Sequence, residues 1–114
     1  GTCKVIYSNS DRVKEIFHFK NGILSGEAKS FYINGNLRWR GYYENGSYMG
    51  KWEYWDINGN KLKEVHFVND SLTGNYQAWY QEGQLKEQGQ YIRNKKTGKW
   101  MYYSEDGKLQ VISY

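Results

Sequence analysis

Gly50-Lys51-Trp52-Glu53-Tyr54-Trp55-Asp56-Ile57-Asn58-Gly59-Asn60-Lys61-Leu62-Lys63-Glu64 alternates bulky and polar side chains, breaks at Asn58-Gly59, and resumes in a second run. Alternation with a period of two belongs to a strand, and Asn-Gly supplies the positive φ of a hairpin turn, so this stretch reads as a β-hairpin. Gly98-Lys99-Trp100-Met101-Tyr102-Tyr103-Ser104-Glu105-Asp106-Gly107-Lys108-Leu109 writes the same hairpin again, 48 residues later.

Outward from these two stretches, Gly26, Gly50, Gly74 and Gly98 recur at a spacing of 24 residues. An aromatic column keeps the same phase at Tyr7, Phe31, Trp55, Trp79 and Tyr103, and a second lies at Phe19, Tyr43, Phe67 and Tyr91. One turn column is Asn34-Gly35, Asn58-Gly59, Glu82-Gly83 and Asp106-Gly107; another is Asn21-Gly22, Asn45-Gly46, Asn69-Asp70 and Asn94. A branched aliphatic follows the first column at Val13, Leu37, Leu62, Leu85 and Leu109. In the third copy Lys61 reads as an inserted residue before Leu62, which predicts a β-bulge there.

The chain therefore reads as one repeat domain over 1–114, with copies near 2–25, 26–49, 50–73, 74–97 and 98–114. The expected fold class is all-β: tandem antiparallel hairpins, about nine or ten short strands, forming a single extended, twisted sheet or open solenoid. A two-stranded unit cannot cover its own apolar face, so each hairpin must stack its rings on the next. Residue 1 lies almost on a repeat boundary, which is also what an excerpt from a longer array would look like.

Composition agrees. Twelve Tyr, 5 Trp and 4 Phe outnumber Leu, Ile and Val together, and 13 Gly accompany no Pro at all. Such a chain turns often and keeps every backbone donor for strand pairing. Helices are disfavoured, because no window holds a period of 3.6 without a Gly or Asn-Gly interrupting it. Sixteen basic and 12 acidic residues give a formal charge of +4 with both signs interleaved. That bias is too small for a nucleic-acid groove. The one basic cluster, Arg93, Lys95, Lys96 and Lys99, reads as a solvated loop, with phosphate or anionic lipid as the sharper alternative. The lone Cys3 excludes an intrachain disulfide and leaves the compartment, cytoplasm or cell envelope, undecided. The chain contains neither a signal peptide nor the roughly 20 apolar residues of a membrane span.

The quoted stretches resemble the bacterial variant of the MORN (membrane occupation and recognition nexus) repeat, and the likeness runs along nearly the whole chain. The first copy departs from it, with Thr2 in place of Gly and Asp11 at the turn. Proteins of this kind are described as YwqK-family antitoxin components, and MORN repeats as protein- or lipid-binding scaffolds. The resemblance thus implies an interaction module whose partner is another protein. Choline- or cell-wall-binding repeats are a poorer match, since they are shorter and pair their aromatics more regularly.

No catalytic constellation competes with that reading. His18 and His66 share one repeat position, but the equivalent places hold Tyr42 and Gln90, so a metal site lacks further ligands and both read as ordinary sheet residues. Glu15, Glu64 and Glu87 each sit beside a Lys at the repeat period, which describes a cross-strand ion-pair ladder better than a general acid and base. No Ser-His-Asp order and no clustered-glycine phosphate loop occurs. A non-catalytic module without cofactor is the expectation. Its candidate binding residues are Trp39, Trp52, Tyr54, Tyr76, Trp100 and Tyr102, flat rings that can stack on a partner's side chains, on a glycan or on lipid headgroups. Mutual stacking within the sheet is the competing use of the same rings. Self-association through the end hairpins is a further expectation.

Overall fold

The computed structural model describes residues 1–114 as twelve strands and no helix. They are β1 (Thr2–Ile6), β2 (Val13–Lys20), β3 (Ile23–Leu24), β4 (Gly26–Phe31), β5 (Leu37–Glu44), β6 (Ser47–Trp55), β7 (Lys61–Val68), β8 (Ser71–Leu72), β9 (Gly74–Trp79), β10 (Leu85–Ile92), β11 (Lys95–Tyr103) and β12 (Leu109–Ser113). All belong to one antiparallel sheet in the order β1-β2-β4-β5-β6-β7-β9-β10-β11-β12, with β3 beside β2 and β8 beside β7. The end strands β1 and β12 do not meet, so the sheet stays open, a slab of 45 × 31 × 14 Å. No helix is long and apolar enough to cross a membrane.

Ten strands are thus the backbone of the array, and the two extra ones are interruptions. In the second and fourth copies one continuous strand, β6 or β11, covers the ground that β3–β4 or β8–β9 covers in two pieces. The break falls at Ser25 and Thr73, whose N–H groups donate to the His18 and His66 carbonyls. The structural period is consequently 48 residues, two alternating kinds of repeat, rather than 24.

The two turn columns differ. Asn21-Gly22, Asn45-Gly46, Asn69-Asp70 and Arg93-Asn94 all have positive φ at both residues, the geometry of a two-residue type I′ turn. In the other column only Gly35, Gly59, Gly83 and Gly107 have positive φ. There the Gly35 N–H donates to the Tyr32 carbonyl at 2.9 Å and the Tyr32 N–H to the Asn36 carbonyl at 2.8 Å, which closes a three-residue loop. The residue before each Gly keeps ordinary φ, so Glu82 and Asp106 fit there as well as Asn does.

The third copy carries no insertion. Ile6 pairs with Val13, Phe31 with Leu37, Trp55 with Lys61 and Trp79 with Leu85, so Lys61 occupies the aliphatic column and Leu62 is displaced from it. A register shift does lie there, as expected. It recurs in the first, second and fourth copies, leaving Lys14, Arg38 and Lys86 as the extra residue. Lys61 and Leu62 have simply exchanged places relative to Leu37-Arg38 and Leu85-Lys86.

Neighbouring hairpins are also sewn together at both strand ends. At the turn end Gly46, Asp70 and Asn94 donate backbone N–H bonds to the carbonyls of Leu24, Tyr48 and Leu72. At the loop end the hydroxyls of Tyr7, Tyr32 and Tyr80 donate to the carbonyls of Phe31, Trp55 and Tyr103. These bonds hold each repeat against the next at a fixed offset, which keeps the ring columns in register.

Candidate binding face

Strand alternation sends the six singled-out rings to one face of the slab and Glu53, Trp55 and Glu64 to the other. The centre of the aromatic face is built on a glycine. Arg40 pairs with Glu53 and Tyr42 with Met49, so Gly50, Lys51 and Trp52 all lie opposite Gly41. The strand bulges, and the Trp52 indole folds back over the bare Gly41 backbone. A Cβ on Gly41 would stand 2.0 Å from Trp52 Cδ2. The indole Nε1–H donates to the Tyr42 carbonyl at 3.2 Å. The fourth copy repeats the device: Gly98, Lys99 and Trp100 oppose Gly89, and Trp100 Nε1–H donates to the Gln90 carbonyl at 3.1 Å.

Each pillar tryptophan gathers rings around it. Trp52 is in contact with Trp39 (5.4 Å between centroids), Tyr43 (5.3 Å), Tyr48 (4.8 Å) and Phe67 (6.1 Å). Trp100 is surrounded by Tyr76 (5.3 Å), Tyr91 (5.0 Å), Tyr102 (6.1 Å) and Tyr114 (6.3 Å). Val65, Lys63 and Ala78 lie between the clusters, where the third copy has no large ring. The first copy has none at the corresponding places either, since Ala28 and Ser30 stand there.

Trp52 and Trp100 are 4% and 0% exposed, so among the singled-out residues these two hold the face together from within. The accessible part of the face is the half-buried Trp39, Tyr54, Tyr76 and Tyr102, together with Tyr43 and the exposed Tyr48. Trp39, Tyr43, Tyr48, Trp52, Tyr54 and Phe67 enclose a shallow hollow of about 240 Å³ whose walls are aromatic throughout. Tyr43, Tyr48 and Phe67 were not singled out from the sequence as binding residues; their membership of the second aromatic column and the turn beside Tyr48 were the available signals. Burial, aided by Tyr48, pushes the Tyr43 hydroxyl up to about 12, so it stays a hydrogen-bond donor at neutral pH.

The opposite face is polar. Glu53, 7% exposed, accepts from Arg40 at 2.9 Å and from Lys61 at 2.8 Å. Lys61 also reaches Glu64 at 3.4 Å, and Glu64 reaches Lys51 at 3.4 Å. Lys61 lies over both Trp55 and Trp79, with its ammonium 6.0 and 5.4 Å from their centroids. The expected ladder is therefore real but local to Glu64. Glu87 instead accepts from the Tyr76 hydroxyl on the aromatic face. His18 faces Thr2 Oγ1, and His66 donates its Nδ1–H to the Asn75 carbonyl or lies at donor distance from it, 3.0 Å. The basic cluster is not a loop: Lys95–Tyr103 is strand β11, and the Lys96 ammonium rests on three rings.

A family model described as "MORN repeat variant" matches residues 38–56, 72–93 and 96–114, together more than half of the chain. No curated protein matches the chain. Among solved structures, a chain of "Crystal structure of GtfA/B complex bound to UDP and GlcNAc" is similar over 89% of this chain, at 13% identity and a TM-score of 0.37. This chain spans only 20% of that one, and nothing is built on so remote a likeness. On the family match, and on a repeat of hairpins seen in the sequence and the sheet alike, the chain belongs to the MORN repeat variants, a class of repeat module often involved in binding.

Proposed function

We propose that the chain is a non-catalytic module that binds another protein through its aromatic face, with the hollow at Trp39, Tyr43, Tyr48, Tyr54 and Phe67 as the anchor. The observation that carries this reading is an all-aromatic hollow on the open side of a thin sheet. Rigid rings supply large contact area at little entropic cost, and side chains already fixed by mutual packing lose little more on binding. An antitoxin-type role, in which the partner is a toxin protein, is one form of this reading. Glycan or lipid-headgroup binding through the same rings is the reading from another class.

The test is affinity capture from the producing cells with wild type and Trp39→Ala, both checked for folding by circular dichroism. Trp39 is preferable to Trp52 because removing the buried pillar would disturb the sheet itself. One partner captured by wild type, and lost with Trp39→Ala, supports the protein reading. Retention on cell-wall polysaccharide or anionic vesicles, lost in the same variant while no protein is captured, would replace it.

A further inference from the structure

The two aromatic clusters are versions of one site 48 residues apart, and comparing them assigns a ligand chemistry to the first. Trp52 corresponds to Trp100, Tyr54 to Tyr102 and Tyr43 to Tyr91. In the second cluster the chain fills the place between these rings with its own cation. The Lys96 ammonium lies 4.6 Å from the Trp100 ring centroid, 5.3 Å from Tyr102 and 5.5 Å from Tyr114, and it donates to the Tyr102 hydroxyl at 3.0 Å. Position 48, which corresponds to Lys96, is Tyr48, so the first cluster has the rings of the cage and one ring more, and no cation of its own inside it. A ring face is the negative pole of its quadrupole, and several faces turned to one space attract an ammonium more strongly than an uncharged group of the same shape.

Charge at the rim points the same way. The Asp70 carboxylate accepts the Tyr48 backbone N–H at 2.7 Å, which fixes a negative group at the turn beside the hollow. Lys63 lies 4.9 Å from the Tyr54 centroid but does not line the hollow. It occupies one rim and leaves the side toward Tyr48 and Asp70 open.

We infer that the hollow formed by Trp39, Tyr43, Tyr48, Trp52, Tyr54 and Phe67 is a cage for the ammonium of a lysine side chain on the partner protein. The inference rests on the protein-binding reading above and adds the chemistry of its anchor. The partner's lysine would enter as Lys96 does in the second cluster, its methylenes against the rings and its ammonium over the Trp52 face, within reach of the Tyr54 hydroxyl. Shape alone would admit any apolar side chain; the cation is what the cage selects.

The probe is Nα-acetyl-lysine amide, titrated against the uncharged isostere Nα-acetyl-norleucine amide and followed by proton NMR of the tryptophan indoles. Three results are expected. The lysine probe gives a saturable shift of the Trp39 and Trp52 resonances at a concentration roughly tenfold below that needed for norleucine, the scale of a partly desolvated cation–π contact. Tyr48→Lys, which copies the second cage and fills the first from within, removes that response. Lys96→Ala empties the second cage and adds a response at Trp100. Equal responses to the two probes, no response to lysine, or a Tyr48→Lys variant that is folded and still responds would each overturn the cage. If the lysine probe fails while wild type still captures a partner that Trp39→Ala loses, the cage falls and the protein-binding reading stands.

Discussion

Gly41 and Trp52 are joined by an absence, because the indole occupies the space that a side chain on Gly41 would need. Gly41→Ala must therefore push the ring or bend the strand, and overpacking of this kind costs about 1–3 kcal/mol. Gly59→Ala, where the loop is open and only the positive φ is at stake, serves as the comparison at about 1 kcal/mol. Urea unfolding of both variants checks the order. Glu53 makes a second prediction at the same scale. Burial by itself would raise its pKa, but hydrogen bonds and charge from Lys61 and Arg40 outweigh this and hold the carboxyl below the ordinary glutamate value. A carboxyl depressed in the folded chain stabilises it above the unfolded-state pKa, and that contribution is lost as pH falls through the folded value. Glu53→Gln is thus expected to cost about 1.5–3 kcal/mol at neutral pH and to flatten the decline of stability in acid, measured by urea unfolding at stepped pH.

Among elements, the turns and the third copy show what the sequence could tell and where it stopped. The Asn-Gly and Asn-Asp pairs placed every type I′ turn, because few residues tolerate two consecutive positive φ angles. Arg93 is the poor fit, at φ 49, so Arg93→Asn is expected to stabilise the fold by about 0.5–1 kcal/mol, seen as a higher Tm. The first turn column looked equally tight, yet it closes a longer loop, since a lone Gly after Asn is written the same way for both. Lys61-Leu62 looked like an insertion because pattern matching aligns leucine with leucine. Pairing aligns backbone, and the buried Glu53 gives Lys61 a reason to stand in an aliphatic column. The double exchange Lys61→Leu with Leu62→Lys, which restores the neighbours' order, is accordingly expected to destabilise the chain by about 1.5–3 kcal/mol rather than improve it. Thermal unfolding decides the sign.

For the whole molecule, the 24-residue period read from glycines and rings gave the open sheet, and alternation along the strands gave the faces. The 48-residue alternation was harder to read. It depends on Gly41 and Gly89 lying under Trp52 and Trp100, a relation across the hairpin that no single column displays. The six candidate rings do share a face, but which of them is buried follows from the bulges, and these became visible only through the register. The claim that unites these observations is that one face of the sheet is built for contact and the other for internal charge pairing. It is tested most directly by placing a photo-crosslinking phenylalanine derivative at position 48 on the aromatic face, and separately at position 77 on the polar face, in the producing cells. A discrete protein adduct from position 48 and none from position 77 is the expected result; adducts from position 77 alone, or the same products from both positions, would contradict it.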